Sequence, residues 1–165
     1  MARSRAAILD GARAAVEANG TKITMAQVAA RGGVAKATLY NHFRAREDVL
    51  AALLLDEIDR LVATVSHLEL SQALTVAAVA VSEHPLLEAL GGQDTTTLAV
   101  LARVDVRTPG WARVGHAVER LLRRSGRAGA PMVLRWLSSF IIAPADEIDI
   151  AADVAVLLSG LPPTG

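Results

Sequence analysis

The chain has 165 residues, of which 52% are hydrophobic, and its 17 basic and 17 acidic residues give a formal net charge of zero. This length predicts one or two small domains, and the absence of cysteine excludes disulfides and cysteine-based metal or redox sites. Charged residues interrupt the N-terminal segment where a signal peptide would have its apolar core. No apolar run in the chain approaches the ~20 residues of a membrane span. We therefore expect a soluble, cytoplasmic protein with no membrane contact.

The zero net charge conceals an uneven distribution along the chain. Residues 1–46 contain eight basic and two acidic residues, a net charge of +6, and residues 47–165 carry a net charge of −6. A basic head on an acidic body is typical of a head that contacts nucleic-acid phosphates. We therefore predict two domains, a DNA-binding domain over residues 1–46 and a helical regulatory and dimerisation domain over residues 47–165.

The apolar spacing of residues 4–19 predicts an amphipathic first helix that ends at Asn19-Gly20. Arg3 and Arg5 stand at its start. The sequence leaves two interpretations open for them, a contact with a phosphate or the minor groove, or a frayed terminus.

The next stretch, TMAQVAARGGVAKATLYNHFRAR over residues 24–46, predicts two short helices separated by a glycine pair. Thr24 is a candidate N-cap, and Val28 and Ala29 lie on the buried face of the first of these helices. Gly33 is the residue at which the backbone would adopt a positive φ most easily. This layout is typical of a helix-turn-helix, whose second helix enters the major groove of DNA.

Leu39 and Phe43 form the apolar side of the second short helix, one turn apart. The other side chains include several hydrogen-bonding groups, and no acidic residue occurs between Gln27 and Arg46. The alternative is an ordinary solvated helix of a helical bundle, which usually mixes Glu with Lys. We therefore favour DNA binding by the polar side chains of this helix, which are Lys36, Thr38, Tyr40, Asn41 and His42.

The stretch resembles the DNA-binding domain of the TetR family of bacterial transcriptional regulators. The similarity extends from Thr24 through Val28-Ala29, Gly33-Val34 and Thr38-Leu39-Tyr40-x-His42-Phe43 to Arg46-Glu47-x-x-Leu50. It implies an all-α protein with an N-terminal three-helix helix-turn-helix domain, followed by a helical ligand-binding and dimerisation domain. In two positions the chain departs from the family. Ala35 replaces a frequent capping Ser, at a cost of about 1 kcal/mol, and Arg46 replaces a common Lys.

Roles are expected for eight residues of the DNA-binding domain, the phosphate contacts by resemblance and the base contacts from the chemistry of the side chains. Thr24, Thr38, Tyr40 and Arg46 would hold phosphates, and His42 would contact a phosphate rather than a base. Lys36 would recognise guanine, Asn41 adenine, and Ala37 would contact the methyl group of thymine.

Residues 46–68 predict a long helix that joins head and body, which the resemblance implies is the element that transmits ligand binding. The remaining pattern predicts further helices and no strand. Their expected limits are residues 71–83, 85–90 (closed by Gly91-Gly92), 96–104 (capped by Asp94 or Thr95), 111–124 after a turn at Pro109-Gly110, 132–142, and 148–158, followed by a tail from Leu161.

The last two predicted helices are apolar around most of their circumference. Such helices must be buried on all sides, and a body of this size has few elements to cover them. We predict that a second copy covers them, so that two helices from each chain form the interface of a homodimer. The alternative is that they lie at the centre of their own monomer.

The sequence contains no phosphate-binding glycine motif, nucleophile elbow or zinc-protease motif. Ser138-Ser139 has no acidic residue or histidine beside it in sequence. We expect no enzymatic activity, no cofactor and no metal. The four histidines are scattered over different segments, without the spacing of metal ligands: His42, His67, His84 and His116.

Together these features predict a sequence-specific DNA-binding transcriptional regulator. By resemblance it would be a repressor that binds a near-palindromic operator as a homodimer and responds to a small, hydrophobic inducer. The rival is a ligand-binding or protein-interaction dimer that reads no DNA sequence, an interpretation that the missing cap at Ala35 and the short body keep open. An enzyme built in a helical bundle is a third and more distant interpretation.

Overall fold

The computed structural model describes residues 2–164, and this part of the chain forms ten α-helices and no β-strand. The all-α prediction is confirmed. Met1, the first residue of the predicted DNA-binding domain, and Gly165, the last residue of the predicted regulatory domain, lie outside the described residues. The helices are α1 (Ala2–Asn19), α2 (Met25–Arg31), α3 (Lys36–His42), α4 (Arg46–Val65), α5 (Leu70–Ser82), α6 (Pro85–Gln93), α7 (Thr95–Ala102), α8 (Pro109–Arg124), α9 (Ala130–Ile142) and α10 (Glu147–Gly160).

Several helix limits differ from the sequence-based expectations. Pro109 is the first residue of α8 and not part of a turn, because proline suits the first helical position, where its missing N–H would have no partner. Gly91-Gly92 lies inside α6, which continues to Gln93, because glycine weakens a helix without ending it. Helix α4 ends at Val65, three residues earlier than expected.

A first hydrophobic core holds the head together. It combines buried residues of α1, α2 and α3 with residues of the first half of α4, and α6 and α7 pack against the same core. Because α4 contributes Val49, Ala52 and Leu53, this core continues past residue 46. The division into residues 1–46 and 47–165 stays a prediction.

A second core lies in the body, where the end of α4 packs with α5, α8, α9 and α10. Ile150 and Val154 are the residues by which α10 enters this core, and both are almost completely buried. Leu161, which follows α10, also belongs to this core, with only 2% of its surface exposed.

The segment after α10, expected to be a tail, is packed on the body. The Ala128 amide donates to the carbonyl of Pro162 at 2.8 Å, and the Thr164 amide donates to the carbonyl of Gly126 at 3.0 Å. The Arg127 guanidinium donates to the carbonyl of Leu161 at 2.8 Å. These bonds and the burial of Leu161 hold the segment against the α8–α9 connection.

Within one chain, the last two helices are buried on one side only. They do not lie at the centre of their own monomer, and their cover by a second copy stays a prediction. In α9, Val133, Leu137 and Phe140 face the core, whereas Met132 and Ile142 are about half exposed. Most of the exposed residues of α10 are apolar or small, namely Ile148, Ala151, Ala152, Ala155, Val156 and Ser159. The acidic residues Glu147, Asp149 and Asp153 are also exposed and flank this apolar side. Within the monomer this side of α10 therefore stays uncovered.

An ion-pair cluster connects α1 to the middle of α4. The Arg13 guanidinium donates to Glu57 at 2.6 Å, to Asp56 at 2.9 Å and to Asp10 at 2.7 Å. Arg60 bridges Asp56 and Asp10 at 2.9 and 3.3 Å. Because the Arg13 side chain is only 24% exposed, solvent screens this cluster less than an ordinary surface pair. It fixes α1 to the helix that leads into the body.

His84 directly precedes α6 and lies next to this cluster. Its Nδ1 accepts the Leu86 amide at 3.3 Å, so the imidazole acts as the N-cap of α6. Burial lowers the pKa of His84, the nearby Glu57 carboxylate opposes that shift, and Arg13 adds to it. The folded protein therefore favours the neutral imidazole.

This pKa shift predicts a loss of stability in mild acid. Since the pKa of His84 is lower in the folded state, the unfolded chain takes up the proton first as the pH falls below about 6.5, and stability falls with it. His84→Asn keeps a capping acceptor without a titration and should show a weaker pH dependence. Urea midpoints of both proteins at about pH 7.5 and about pH 5.5 measure the difference. An equal loss in both would contradict the assignment to His84.

No single described helix is long and apolar enough to cross a bilayer; α5 and the part of α6 up to Gly92 reach that length only together, with a bend of 42° between them.

Candidate DNA-binding surface

The local sequence of α2 and the following turn positions α3. The Thr24 hydroxyl accepts the Gln27 amide at 3.2 Å, and the Gln27 side chain accepts the Thr24 amide at 2.8 Å, which forms a complete capping box. Gly33 has a φ of 61°, and the Val34 amide then donates to the carbonyl of Ala29 at 3.0 Å. Thr24 as the N-cap and Gly33 as the turn residue are both confirmed. The turn at Gly33 changes the chain direction between α2 and α3.

The contact between α1 and α2 is closer than the sequence indicates. A Cβ placed on Gly11 would lie 2.5 Å from the Val28 carbonyl oxygen and 2.7 Å from the Gly32 Cα, both backbone atoms. A Cβ on Gly32 would likewise lie 2.6 Å from the Ala7 carbonyl oxygen. The sequence-based interpretation did not identify the close approach of Gly11 and Gly32. Gly11 stands in the middle of a helix, where glycine is unfavourable, and that was the available signal.

Four of the predicted DNA-contacting residues share the exposed side of α3. At 100° per residue, Lys36, Tyr40, Ala37 and Asn41 lie in one sector, opposite the fully buried Leu39. Tyr40 is 53% exposed. Within residues 2–164, none of these side chains has a hydrogen bond or ion pair, so their polar groups are available to a partner.

Thr38 and His42 lie outside this sector, between Asn41 and the buried Leu39 around the helix, and both are half-buried. The His42 ring packs beside Phe43, with 6.3 Å between the ring centroids. Phe43 itself follows the last residue of α3 and is buried in the head core. The structure therefore places Thr38 and His42 beside the exposed sector and not in it.

Thr24 and Arg46 lie at helix starts and already have protein partners. Besides its part in the capping box, the Thr24 hydroxyl lies 3.1 Å from the Gln27 side-chain oxygen. Arg46 pairs with Glu47 at 2.8 Å and lies 3.4 Å from the Thr21 carbonyl. The Arg46–Glu47 pair is exposed and therefore weak, so a phosphate could displace Glu47.

The start of α1 lies beside the end of α3. Helix α1 begins at Ala2, so Arg3 and Arg5 are helical, and the frayed terminus expected as one alternative does not occur at these residues. The Arg5 guanidinium carbon is 5.8 Å from the centroid of the Phe43 ring. This cation–π contact brings a positive charge next to the exposed Arg44, which follows Phe43.

Ala35 occupies the N-cap of α3 with φ −65° and ψ 144°, and no side chain caps the helix there. We expect Ala35→Ser to stabilise the protein by about 1 kcal/mol, because the serine hydroxyl would accept an unpaired amide of the first turn. Chemical denaturation measures this difference. Ala30→Ser in the last turn of α2, also exposed, is the matched control, and an equal gain there would contradict the capping explanation.

No group of three or more His, Asp and Glu side chains among residues 2–164 is arranged to hold a metal ion.

Comparison with known proteins identifies this arrangement. Residues 8–53 match the family model described as bacterial regulatory proteins, tetR family. No curated protein sequence matches the chain.

Several solved structures share the fold along almost the whole chain. The TetR family repressor AlkX from Dietzia sp. strain DQ12-45-1b, implicated in biodegradation of n-alkanes, has a TM-score of 0.70 and 19% identity over 93% of this chain and 94% of that one. The dihydroxyacetone kinase operon activator DhaS has a TM-score of 0.63 and 12% identity, with 94% of each chain covered. FadR from Bacillus subtilis, in complex with stearoyl-CoA, has a TM-score of 0.55 and 18% identity over 94% and 97%.

Proposed function

We propose that this chain, which belongs to the TetR family of bacterial regulatory proteins by its N-terminal domain, is a homodimeric, ligand-responsive repressor that binds a near-palindromic operator. Its fold is that of a DNA-binding transcriptional regulator. The observation that carries the proposal is the unpaired polar sector of α3, with Lys36, Tyr40 and Asn41 on one exposed side of a basic head.

Each residue of the α3 sector has a chemical role in this proposal. Lys36 donates to a guanine, the Asn41 amide forms two hydrogen bonds with an adenine, and Ala37 contacts a thymine methyl group. Tyr40 donates its hydroxyl to a phosphate. Thr38 and His42, outside the sector, contact the phosphates that flank the bases.

The helix starts supply further phosphate contacts. The N-terminus of α2 behind Thr24 presents unpaired amides and the positive end of the helix dipole. When the protein binds DNA, Arg46 releases Glu47 and pairs with a phosphate oxygen instead. This bond is charge-assisted, and the other phosphates of the strand also attract the Arg46 guanidinium.

The homodimer is supported by the uncovered side of α10. Ile148 is 81% exposed and Val156 is 72% exposed, and three alanines lie between them on the same side. Small residues allow two helices to approach closely, and on α9 the apolar Met132 and Ile142 are also exposed. A twofold interface of these helices with those of a second copy would cover this surface.

Ligand response requires a mechanical connection between body and head. Helix α4 provides it, because its first half lies in the head core and Val65 lies in the body core. The Arg13 cluster makes α1 follow any tilt of α4. A ligand that favours one tilt would change the separation of the two recognition helices and so lower operator affinity.

Selection of random duplexes on the purified protein at near-physiological salt tests the proposal. We expect a palindrome whose half-sites lie about one helical turn, ~34–36 Å, apart, and a dimer by size measurement. A variant with both Lys36→Ala and Asn41→Ala is the control, and it should remain folded without enriching the palindrome. No enrichment by a folded dimer, together with steep salt dependence, would favour the rival without sequence reading. Reduced expression from a promoter overlapping the recovered site tests the repressor role.

A further inference from the structure

A cleft of about 590 Å³ opens between the α7–α8 connection and the first half of α9. This volume lies within the range of small-molecule sites. The connection contributes Val104 and Val106, and α9 contributes Pro131, Leu134, Arg135 and Ser138.

The inner walls of the cleft are aliphatic and rest on α8. A Cβ placed on Gly115 would lie 3.7 Å from a methyl group of Val106 and 3.8 Å from one of Leu134. Val106 on one wall and Leu134 on the other therefore both pack against α8 at Gly115, which has no side chain. Trp111 fixes the same region, because its indole N–H donates to the carbonyl of Leu101 at 3.0 Å. The cleft is thus held by three helices.

The charged groups at the rim of the cleft are mostly positive. Asp105 is bound by Arg107 through two guanidinium hydrogen bonds of 2.9 Å, and the side chain and backbone amide of Arg107 lower the pKa of Asp105 to about 2. Asp105 is therefore ionised, with its negative charge balanced by that of Arg107, and Arg103 lies close enough to lower the same pKa further. The Arg135 carbonyl accepts the Ser138 hydroxyl at 2.8 Å, but the exposed Arg135 guanidinium has no hydrogen bond or ion pair with any of residues 2–164.

We propose that this cleft binds a small amphipathic organic anion, an aliphatic carboxylate, whose carboxylate pairs with Arg135 and whose alkyl chain lies on Val104, Val106 and Leu134. An unpaired guanidinium beside an aliphatic wall matches such a molecule in charge and in polarity. A cation would meet excess positive charge, and a neutral alcohol would leave Arg135 without an ionic partner. This inference rests on the ligand response in the proposed function and names its chemical class.

The cleft also has a route to the head. Helix α7, which precedes the α7–α8 connection, packs Leu98 and Leu101 on the head core. A ligand that joins Arg135 to this connection would couple α9 to α7, and through α7 to α1 and α4.

Tryptophan fluorescence provides the test, because the only two tryptophans of the chain, Trp111 and Trp136, lie on helices that border the cleft. The probes are decanoate, decanol and decyltrimethylammonium, titrated into the full-length protein without DNA. We expect saturable binding of decanoate, and binding of the other two at least about tenfold weaker, as loss of one charge-assisted pair implies. Equal binding of decanol, or no binding of decanoate, would overturn the proposal.

Arg135→Gln should weaken decanoate binding about tenfold while Arg120→Gln, an exposed arginine on α8 outside the cleft, should leave it unchanged. If Arg135→Gln changes the oligomeric state and not decanoate binding, Arg135 serves the interface between copies and the proposal is wrong. Because these titrations contain no DNA, a failure here leaves the operator-selection result unaffected, and failed operator selection leaves these titrations interpretable.

Discussion

Gly11→Ala is expected to destabilise the head by about 3 kcal/mol, the upper end of the usual range for overpacking. The added methyl group would lie within 2.7 Å of backbone atoms of Val28 and Gly32, which cannot rotate away as a side chain could. Relief requires α1 and α2 to separate, and that separation would also displace α3. Thermal or denaturant unfolding followed by circular dichroism measures the loss.

Gly92→Ala is the matched control for this prediction. Gly92 also lies inside a helix, but a Cβ there would meet nothing within 4 Å. We expect a gain of about 0.5–1 kcal/mol, because alanine loses less backbone entropy in a helix than glycine does. A Gly11→Ala protein as stable as the parent would show that the α1–α2 crossing is looser than the structure indicates.

The second large effect concerns the exposed sector of α3. Asn41→Ala should relax base preference at one operator position by about 1–3 kcal/mol, because only the amide can pair with both adenine groups in the major groove. Tyr40→Phe should weaken binding to operator and to random DNA alike, since the lost hydroxyl contact is to a phosphate. Binding titrations on the selected operator, on its single-base variants and on random duplex separate the two effects.

Salt dependence provides an internal check on these roles. A residue that contacts a phosphate by ion pairing contributes to the salt slope, and an uncharged residue that reads a base does not. Arg46→Gln should therefore reduce the slope by about one unit, and Asn41→Ala should leave it unchanged. Equal losses on operator and random DNA for Asn41→Ala would remove its assigned role as a base reader.

The sequence by itself determined the helix-turn-helix. The capping box joins Thr24 to Gln27, three residues away. The turn at Gly33 depends on the positive φ of that single residue. Leu39 is marked as buried by its spacing within one short segment. Such features depend on neighbours a few residues apart, so a fixed spacing in the sequence indicates them.

Only the tertiary structure decided the contacts between distant segments. Gly11 meets Gly32, and Arg13 reaches Asp56 and Glu57, 43 and 44 residues away. No regular spacing connects such partners, because their distance in sequence depends on the lengths of the intervening helices and loops. For the same reason the packing of Leu161 beneath the α8–α9 connection could not be predicted from a short C-terminal segment that contains two prolines.

For the last two helices, the sequence and the tertiary structure each determined a different part of the result. Their composition indicated apolar surface on most sides, and it did not indicate which side the monomer covers. That choice depends on the angle at which α10 packs on α5, which buries Ile150 and Val154 and leaves Ile148 and Val156 exposed. Composition reports how much apolar surface a helix carries, whereas the packing of the other helices decides which part of it remains for a partner.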